Sequence, residues 1–478
     1  MADPERKNIV IVGGGIIGCT TAYFLTRHPK YNPDIHSIHL LEATGIASGA
    51  SGKAGGLLAL WAYPQALVPL SFKLHADLAK EHDGARRWGY RGVGVGQIEL
   101  KGRPLTGHEN VIAQRGVVDG GEADASDPSG QADGKGDAGI RGIHRADVAS
   151  DGNVNPDPNP DSDPSRVSLQ KRSQASYANM RKAGLPDDLD WVAEECALAY
   201  ESMGSPKDTA QVHPYQFTTS MAALAEERGA RIVVGASVDS IEPADSGHVV
   251  HYTRSGTGTD TSTSTGTGSQ EEAQSLHATD VIITAGPWTR TVWPGTPISA
   301  LRAHSVTIRP SRPVSPYCLF TSLSLPKKFK PAGGGDGKMK SRASHVTPEI
   351  YARPNNEIYA CGEGDHLVGL PRSTADVEVD DSRCQDIVDY CASFSDEMRD
   401  GRVLVRQACY LPQVERGGGP LVGRTNTKGV FIAAGHTCWG IQNGPATGKL
   451  MSEFVFDGRA GSAGSADVGA LDPRRVLR

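Results

Sequence analysis

The sequence lacks several features that would assign it to large classes of protein. It has no run of about 18 apolar residues, which a membrane-spanning helix requires. It has no long basic run, and its formal net charge is −6 at pH 7 over 478 residues, so a nucleic-acid or anionic-membrane partner is not expected. The first strand-like run begins near residue 7, which leaves no room for a signal peptide. We therefore expect a cytoplasmic protein that acts on small molecules.

Cysteine is scarce and scattered. None of the 8 cysteines belongs to a C-x-x-C pair, the spacing typical of zinc sites and thioredoxin-type motifs. We therefore predict no metal site and expect buried free thiols.

The stretch 7–42 predicts a dinucleotide-binding β-α-β unit. An apolar run leads to Gly13, Gly15 and Gly18, a helix-like run follows, and a second strand ends on Glu42. In this pattern the glycines allow a tight turn, approach to a pyrophosphate and close helix–strand packing, while the helix N-terminus favours phosphate. Glu42 can accept hydrogen bonds from a ribose diol and would repel a 2′-phosphate, which disfavours NADP. This stretch leaves both NAD and FAD open.

A second glycine-rich stretch, ATGIASGASGKAGGLL at 43–58, follows at once. Its small residues would let the backbone lie against a flat ring or a phosphate, with Ser48 and Ser51 as hydroxyl donors. A flexible surface loop is the alternative, but the position directly after an acidic strand end favours a role in cofactor binding.

The rest of the chain alternates ordered patterns with low-complexity segments. Apolar residues at helical spacing predict helices at 65–81, 170–181, 215–228 and 381–398. Apolar runs predict strands at 92–100, 230–238, 280–286, 302–309, 349–362 and 429–435. Gly-, Asp-, Ser- and Pro-rich composition predicts insertions at 119–164, 255–272 and 330–342.

The last strand leads into a second glycine-broken turn, followed by a helix that we predict to begin at Pro445. The backbone N–H groups of Gly440, Ile441 and Gln442 would carry the positive end of that helix dipole. An ordinary helix start is the alternative.

Four sequence blocks together resemble those of the D-amino acid oxidase superfamily of FAD oxidoreductases. They are GGGIIG with Glu42, SGASGKAGG, AGPWT at 285–289 and AAGHTCWGIQNGPATG at 433–448, and they occur in the family's order. Glycine oxidase and monomeric sarcosine oxidase are relatives of this kind, and a fungal branch of uncertain substrate resembles the chain most.

The resemblance implies an α/β fold with two parts. One is a Rossmann-like FAD-binding domain of the glutathione reductase type, and the other is a discontinuous α+β substrate domain with a mixed or antiparallel sheet. The first would contain 1–85, 205–300 and 420–478, and the second would contain 86–118, 165–204 and 301–419.

The resemblance also implies the residues that contact FAD. The backbone of Val238 would meet adenine, Glu42 the ribose, and the turn after 435 the pyrimidine end of the flavin. The expected contacts are Gly13, Gly15, Ile16, Ile17, Gly18, Glu42, Ala43, Ser48, Ser51, Gly52, Gly55, Gly56, Leu57, Val238, Ala285, Gly286, Trp288, Gly435, His436, Trp439, Gly440, Ile441 and Gln442.

The reaction implied is hydride transfer from a C–H bond beside an amine to flavin N5, with reoxidation by O₂ to H₂O₂. The candidate catalytic residues are Tyr351, which matches the family's pocket tyrosine, His436 in the last turn, and Trp439 as an aromatic wall. Plain packing is the alternative for Trp439. Orientation at N5 and electrostatics near N1 and C2 would lower the barrier if the amine binds neutral.

Departures from the family bear on the substrate. Amino-acid-oxidising relatives fix the substrate carboxylate with arginine, which forks onto it through two hydrogen bonds. Here Leu411 stands before Pro412, with Arg416 nearby, and Cys438 stands at the position of the glycine oxidase arginine. A plain D-amino acid is disfavoured, and a larger or less acidic amine is favoured. Arg353 follows Tyr351 on the same strand face.

Three alternatives remain open at this point. Relatives of the sarcosine oxidase type attach flavin to a cysteine, and Cys409 lies within about one residue of that position. The chain could also be a flavin-binding regulatory protein with little turnover, or a dehydrogenase that uses an acceptor other than O₂.

Overall fold

The computed structural model describes residues 6–105, 184–255, 271–326, 329, 344–415, 418–464 and 466–477. The predicted insertions 119–164 and 330–342, the predicted helix 170–181 and all but the edges of 255–272 lie outside these residues.

The described residues form strands and helices that are numbered here in chain order. Strands β1 to β20 are Lys7–Val12, His36–Glu42, Leu57–Ala59, Arg91–Gly92, Gly94–Lys101, Ala197–Gly204, Thr209–Gln211, Ala230–Val234, Ala236–Ala244, Gly247–Ser255, Glu271–Ala278, Asp280–Ile283, Ile298–Arg309, Tyr317–Ser324, His345–Val346, Glu349–Arg353, Glu357–Asp365, Arg402–Val414, Leu421–Arg424 and Val430–Ala434. Helices α1 to α8 are Ile16–Leu25, Val68–Glu81, Gly84–Trp88, Pro214–Glu226, Thr289–Val292, Asp381–Ala392, Asp396–Arg399 and Gly440–Phe456.

A six-stranded sheet has the order β19-β20-β12-β1-β2-β8. All neighbours pair in parallel except β19 with β20, so the carboxyl ends of β1, β2, β12 and β20 meet at one edge. Ile9 and Ile11 of β1 pack on the side of α1, α4 and α8, whereas Val10 and Val12 face the sheet β9-β10-β11. Because both faces are covered, β1, β12 and β20 at the centre of the sheet consist mainly of apolar residues.

Helices α1 and α8 lie side by side although the chain places them at opposite ends. The hydroxyl of Thr20 donates to the carbonyl oxygen of Gly444 at 2.9 Å. A Cβ on Gly18 would stand 2.0 Å from the carbonyl oxygen of Gly13, so only glycine fits where α1 meets the end of β1. The contact brings the two glycine-containing turns to the same edge of the sheet.

The start of α8 differs from the sequence prediction. The helix begins at Gly440 rather than at Pro445, which lies inside it. Proline has no N–H to donate to the carbonyl of Ile441, four residues earlier. His75 of α2 replaces that donor, because its Nε2 donates to this carbonyl at 2.9 Å. A tertiary contact thus allows the helix to start more than one turn before its proline.

We expect His75→Leu to lower the free energy of unfolding by about 1–3 kcal/mol, because the buried carbonyl of Ile441 would lose its donor. His75→Gln keeps an N–H donor and is the matched control, for which a smaller loss is expected. Thermal and denaturant unfolding followed by circular dichroism measures both. Equal stability of the leucine variant and the native chain would contradict this role.

His75 also makes stability depend on pH. Burial lowers its pKa to about 4, so the unfolded chain binds a proton there that the folded chain does not. The contribution of the neutral ring is complete above about pH 6.5 and is lost as pH falls toward 4, by at most about 1.4 kcal/mol per pH unit. His75→Gln should therefore lose less stability than the native chain between about pH 7 and about pH 5. Equal losses would contradict the expectation.

A second, eight-stranded sheet has the order β18-β13-β17-β16-β14-β5-β6, with β15 beside β14. Its pairs are antiparallel except β14 with β5, which confirms the predicted mixed sheet. Alternation along the strands separates its two faces. Ile350 and Leu319 pack against α6 on one face, whereas Tyr351 and Phe320 point to the other, toward β3 and the turn before α8. A small sheet, β3-β7-β4, lies beside them.

Most predicted elements are present with shifted or divided bounds. The helices at 65–81 and 215–228 correspond to α2 and α4, whereas 381–398 contains two helices, α6 and α7. The strand at 230–238 is two strands because Gly235 has φ +76° between them. The strand at 349–362 is a hairpin, since Asn355 and Asn356 adopt left-handed φ of 65° and 52°. The α/β fold class is confirmed, and the domain boundaries stay a prediction.

Candidate active site

A cavity of about 360 Å³ opens at the carboxyl edge of the six-stranded sheet, where α/β folds bind ligands. Many residues that the sequence predicted as cofactor contacts line it: Gly13, Gly15, Ile16, Ile17, Glu42, Ala43, Ser48, Ser51, Val238, Ala285, Gly286, Trp288, Gly435, His436, Gly440 and Ile441. The remaining predicted residues lie outside its lining: Gly18, Gly52, Gly55, Gly56, Leu57, Tyr351, Trp439 and Gln442.

The β1–α1 turn forms one end of the cavity. Gly13 has φ +111°, and a Cβ there would lie 2.7 Å from the carbonyl oxygen of Thr284. The carboxylate of Glu42 accepts a hydrogen bond from the N–H of Gly14 at 2.7 Å. The hydroxyl of Ser51 accepts one from the N–H of Ile16 at 2.9 Å. These two hydrogen bonds hold the carboxylate at the end of β2 beside the N-terminus of α1.

The turn before α8 forms the opposite wall. His436 is 3% exposed, and neither of its ring nitrogens has a hydrogen-bond partner within the described ranges. Burial lowers its pKa to about 3, so the ring is neutral. Gln442 accepts a hydrogen bond from the N–H of Ala59 at 2.7 Å, while its Nε2 has no partner among the described residues. Buried polar atoms without a partner favour the binding of a polar ring, because the ring would supply the missing hydrogen bonds.

The connection between β17 and α6 lies against the cavity. The sequence analysis did not predict this contact. Arg372, Ser373 and Thr374, between β17 and α6, line the cavity. The indole N–H of Trp288 donates to the carbonyl of Pro371 at 2.7 Å, and the hydroxyls of Thr374 and Ser48 lie 2.9 Å apart. No local pattern marks these residues, because the contact forms only when the two sheets come together.

The two ends of this segment are anchored on the eight-stranded sheet. Arg302, 2% exposed, donates through Nε to the fully buried carboxylate of Asp365 at 3.2 Å. Nε2 of His304 accepts from the N–H of Asp380 at 3.0 Å. Burial lowers the pKa of His304 to about 4, in keeping with a neutral ring that can accept.

Tyr351 and Trp439 lie beyond the cavity in a cluster of aromatic side chains. The ring centroids of Trp61 and Trp439 are 5.7 Å apart, and those of Phe320 and Tyr351 are 6.2 Å apart. A Cβ on Gly55 would stand 2.7 Å from the ring of Tyr351, so the glycine-rich loop lies flat on this ring only because Gly55 has no side chain. Trp61 was missed by the sequence reasoning.

Cys438 belongs to the aromatic cluster and also lines the cavity, so the two regions are continuous. Leu411 and Pro412 line the cavity as well. Leu411 and Cys438 stand at the two positions where the family resemblance implies arginine. Arg416 lies outside the described residues.

Arg353 is committed to other partners. Its Nε donates to Glu357 at 2.9 Å, and one terminal nitrogen donates to the carbonyl of Ala54 at 2.9 Å. The side chain is 5% exposed as a residue. Since Glu357 neutralises its charge, Arg353 does not take the place of a clamp for a substrate carboxylate.

Cys409 is buried on β18 and lies outside the cavity lining. Burial raises the pKa of its thiol to about 11, and the charge of Lys53 opposes this shift. Lys53 donates to the carbonyl of Ala408 at 3.0 Å. The thiol form therefore predominates at neutral pH, and the covalent flavin link stays an open alternative.

The parallel sheet brings a glycine turn, an acidic strand end and a second helix N-terminus to one cavity. This combination defines a dinucleotide-binding protein. The family described as FAD dependent oxidoreductase matches residues 8–454. The chain belongs to this family, and it is an FAD-dependent oxidoreductase.

Two curated relatives match over nearly the whole chain. The chain is 37% identical to the putative oxidoreductase TDA3 of Saccharomyces cerevisiae, over 98% of this chain and 94% of that protein. It is 31% identical to a putative oxidoreductase of Schizosaccharomyces pombe, over 99% of each.

Among solved structures, the chain is similar to glycine oxidase from Geobacillus kaustophilus. The TM-score is 0.60 at 17% identity, over 98% of this chain and 99% of that chain. The fold and the FAD cofactor expected from the sequence are thus confirmed. In the described part of the chain, no helix is long and apolar enough to cross a membrane.

The residues of the cavity fit FAD. The glycine turn leaves room for a pyrophosphate, Glu42 lies where a ribose diol would be bound, and the orphaned nitrogens of His436 face the other end. Glu42, Val238 and His436 would hold the adenosine and flavin ends.

We expect Glu42→Ala to raise the dissociation constant of FAD by roughly 10- to 100-fold, since a hydrogen bond to a charged group contributes about 1.5–3 kcal/mol. Quenching of flavin fluorescence on titration into protein freed of FAD measures it. Glu227→Ala removes an exposed carboxylate after α4 and is the control. An unchanged constant in Glu42→Ala, with an unchanged thermal midpoint, would contradict this role.

Proposed function

We propose that the chain oxidises the C–N bond of a small amine or modified amino acid, with O₂ as acceptor and H₂O₂ as product. The observation that carries the proposal is the continuity of the FAD cavity with an aromatic cluster through Cys438. The glycine oxidase whose fold is similar acts on an amino acid, as its name says. In the proposed reaction the substrate loses two electrons and two protons as C–N becomes C=N, and O₂ takes them up as H₂O₂.

FAD, when bound, supplies the two-electron oxidant and passes the electrons on. The chain supplies orientation and electrostatics. Gly440, Ile441 and Gln442 begin a helix of 17 residues, whose positive dipole end would favour negative charge at the pyrimidine end of the flavin. The loop at 51–57 would support the ring from the other side.

The three proposed catalytic residues position the reactants and do not transfer protons at neutral pH. Burial, followed by the charge of Glu349, raises the pKa of Tyr351 well above its usual range, so the phenol stays protonated. His436 stays neutral, as its lowered pKa requires. Trp439 is 4% exposed and excludes water from the turn. Oriented binding of an amine that has lost its proton suits this set.

A flavin-binding protein with little turnover is the second candidate. The pairing of Arg353 with Glu357 favours it, since this arginine is then not available to bind a substrate carboxylate. A dehydrogenase with an acceptor other than O₂ is a variant of the first proposal. The cytoplasmic location and the two-domain boundaries remain predictions.

We expect the purified protein to be yellow. When a suitable amine is added in the absence of O₂, the flavin absorbance near about 450 nm should decrease. Admission of air should restore the colour and release H₂O₂. A panel of primary, secondary and tertiary amines and amino acids identifies the substrate, and an artificial electron acceptor in place of O₂ tests the dehydrogenase variant. A colourless protein that takes up no FAD would contradict the proposal, and a yellow protein that no compound reduces would favour the second candidate.

A further inference from the structure

The connection between β17 and α6, residues 366–380, is bonded to the loops that follow both neighbours of β1. The indole N–H of Trp288, which follows β12, donates to the carbonyl of Pro371 at 2.7 Å. Three residues later, the hydroxyl of Thr374 lies 2.9 Å from that of Ser48, in the loop after β2. Since β1 lies between β12 and β2 in the sheet, the residues between these two contacts bridge the two sides of the β1–α1 turn.

The contact at Thr374 continues to the acidic end of β2. The hydroxyl of Thr44 is hydrogen-bonded to that of Thr374 and lies 3.1 Å from the carboxylate of Glu42. A Cβ on Gly49 would stand 3.4 Å from the methyl group of Thr374. The connection therefore packs directly on the loop that follows Glu42, whose carboxylate lies beside the N-terminus of α1.

The start of the connection is held by the eight-stranded sheet. The hydroxyl of Tyr410 on β18 donates to the carbonyl of Gly369 at 2.8 Å. The N–H of Leu367 donates to the buried carboxylate of Asp365 at 3.0 Å. Together with the contacts on the six-stranded sheet, these bonds hold the backbone before and after Arg372.

Arg372 is the one cation among the described residues that line the cavity, whereas Glu42 and Asp239 line it as carboxylates. Arg372 is exposed, and no other residue in the described ranges forms an ion pair or a hydrogen bond with its side chain. The two carboxylates would repel the pyrophosphate of FAD, and a guanidinium beside it would oppose that repulsion. The charge of the lining therefore gives Arg372 a role toward an anionic part of the cofactor.

We propose that Arg372 binds the pyrophosphate of FAD, so that the phosphates lie between its guanidinium and the N-terminus of α1. A guanidinium can donate two parallel hydrogen bonds to phosphate oxygens. Its place between the contacts of Trp288 and Ser48 puts it at the turn where Gly13 and Gly15 leave room for the phosphates. The inference rests on the dependence of the family on FAD and is independent of the proposed amine oxidation.

A substrate carboxylate is the other anion to which Arg372 could bind. The contacts of its segment favour the cofactor, because Thr374 and Pro371 are bonded to Ser48 and Trp288, which line the cofactor cavity. The aromatic cluster proposed for the amine lies outside that lining, apart from Cys438.

The test compares the affinity of the full chain for FAD in matched arginine variants. Arg372→Gln should raise the dissociation constant of FAD by about tenfold, because charge-assisted hydrogen bonds to a phosphate are lost. Arg372→Lys keeps the charge without the fork and should lose less. Arg309→Gln removes an exposed arginine at the end of β13, outside the cavity lining, and should leave the constant unchanged. Flavin fluorescence during titration of FAD into protein freed of the cofactor measures each constant.

Added salt distinguishes a phosphate contact from stacking of the guanidinium on adenine. Salt screens an ion pair with an exposed arginine. The dissociation constant of the native chain should therefore rise more steeply with sodium chloride than that of Arg372→Gln. Stacking alone would leave the two salt dependences equal.

Benzoate, titrated into the FAD-loaded chain and followed by the flavin difference spectrum, tests the substrate alternative. We expect native chain and Arg372→Gln to give the same result with benzoate. The thermal midpoint without FAD is measured for each variant to recognise a folding defect, and Arg372→Lys carries the comparison if the glutamine variant does not fold.

An unchanged FAD constant in a folded Arg372→Gln variant would overturn the inference. Equal salt dependences, or a benzoate signal that Arg372→Gln alone loses, would overturn it as well. Each of these results leaves FAD binding at the glycine turn and amine oxidation standing. Conversely, a weakened and less salt-dependent FAD constant in a protein whose flavin no amine reduces would support the contact and refute the proposed reaction.

Discussion

The contact between α1 and α8 is the constraint on which the rest of the structure depends. It joins two segments more than 400 residues apart through the bond from Thr20 to Gly444, and the absence of a side chain at Gly18 lets α1 seat on β1. Because both helices start at the same sheet edge, their N-termini face one cavity. In the binding mode that we propose, one helix would hold FAD at its pyrophosphate and the other would hold it at its flavin end.

The eight-stranded sheet supplies the aromatic cluster and leads into the segment over the cavity, neither of which the six-stranded sheet provides. Arg372, Ser373 and Thr374, which follow β17, line the cavity, and Tyr351 on β16 belongs to the aromatic cluster that Cys438 joins to it. The buried pair of Arg302 and Asp365 fixes the start of the covering segment. In the binding mode that we propose, a cofactor between the two sheets would be shielded from water, which would strengthen the electrostatic effect of nearby charges.

Sequence reasoning succeeded where the signal is local. The positions of Gly13, Gly15 and Glu42 in the β-α-β unit could be predicted from their spacing. The fold class could be predicted from these residues together with the family blocks. It failed at the start of α8, since the donor to Ile441 comes from His75, far away in the sequence. No local sequence pattern identifies Trp61 or the segment at 371–374 as part of the site.

The charge of the substrate is the central question, and anaerobic reduction of the FAD-loaded protein by a matched pair of amines tests it most directly. N-Methylbenzylamine and N-benzylglycine share the benzylic C–H beside a secondary amine and differ in the carboxylate. The account predicts that the first bleaches the flavin faster than the second, because Leu411 and Cys438 line the cavity where the family resemblance implies arginine. Faster reduction by N-benzylglycine would contradict it.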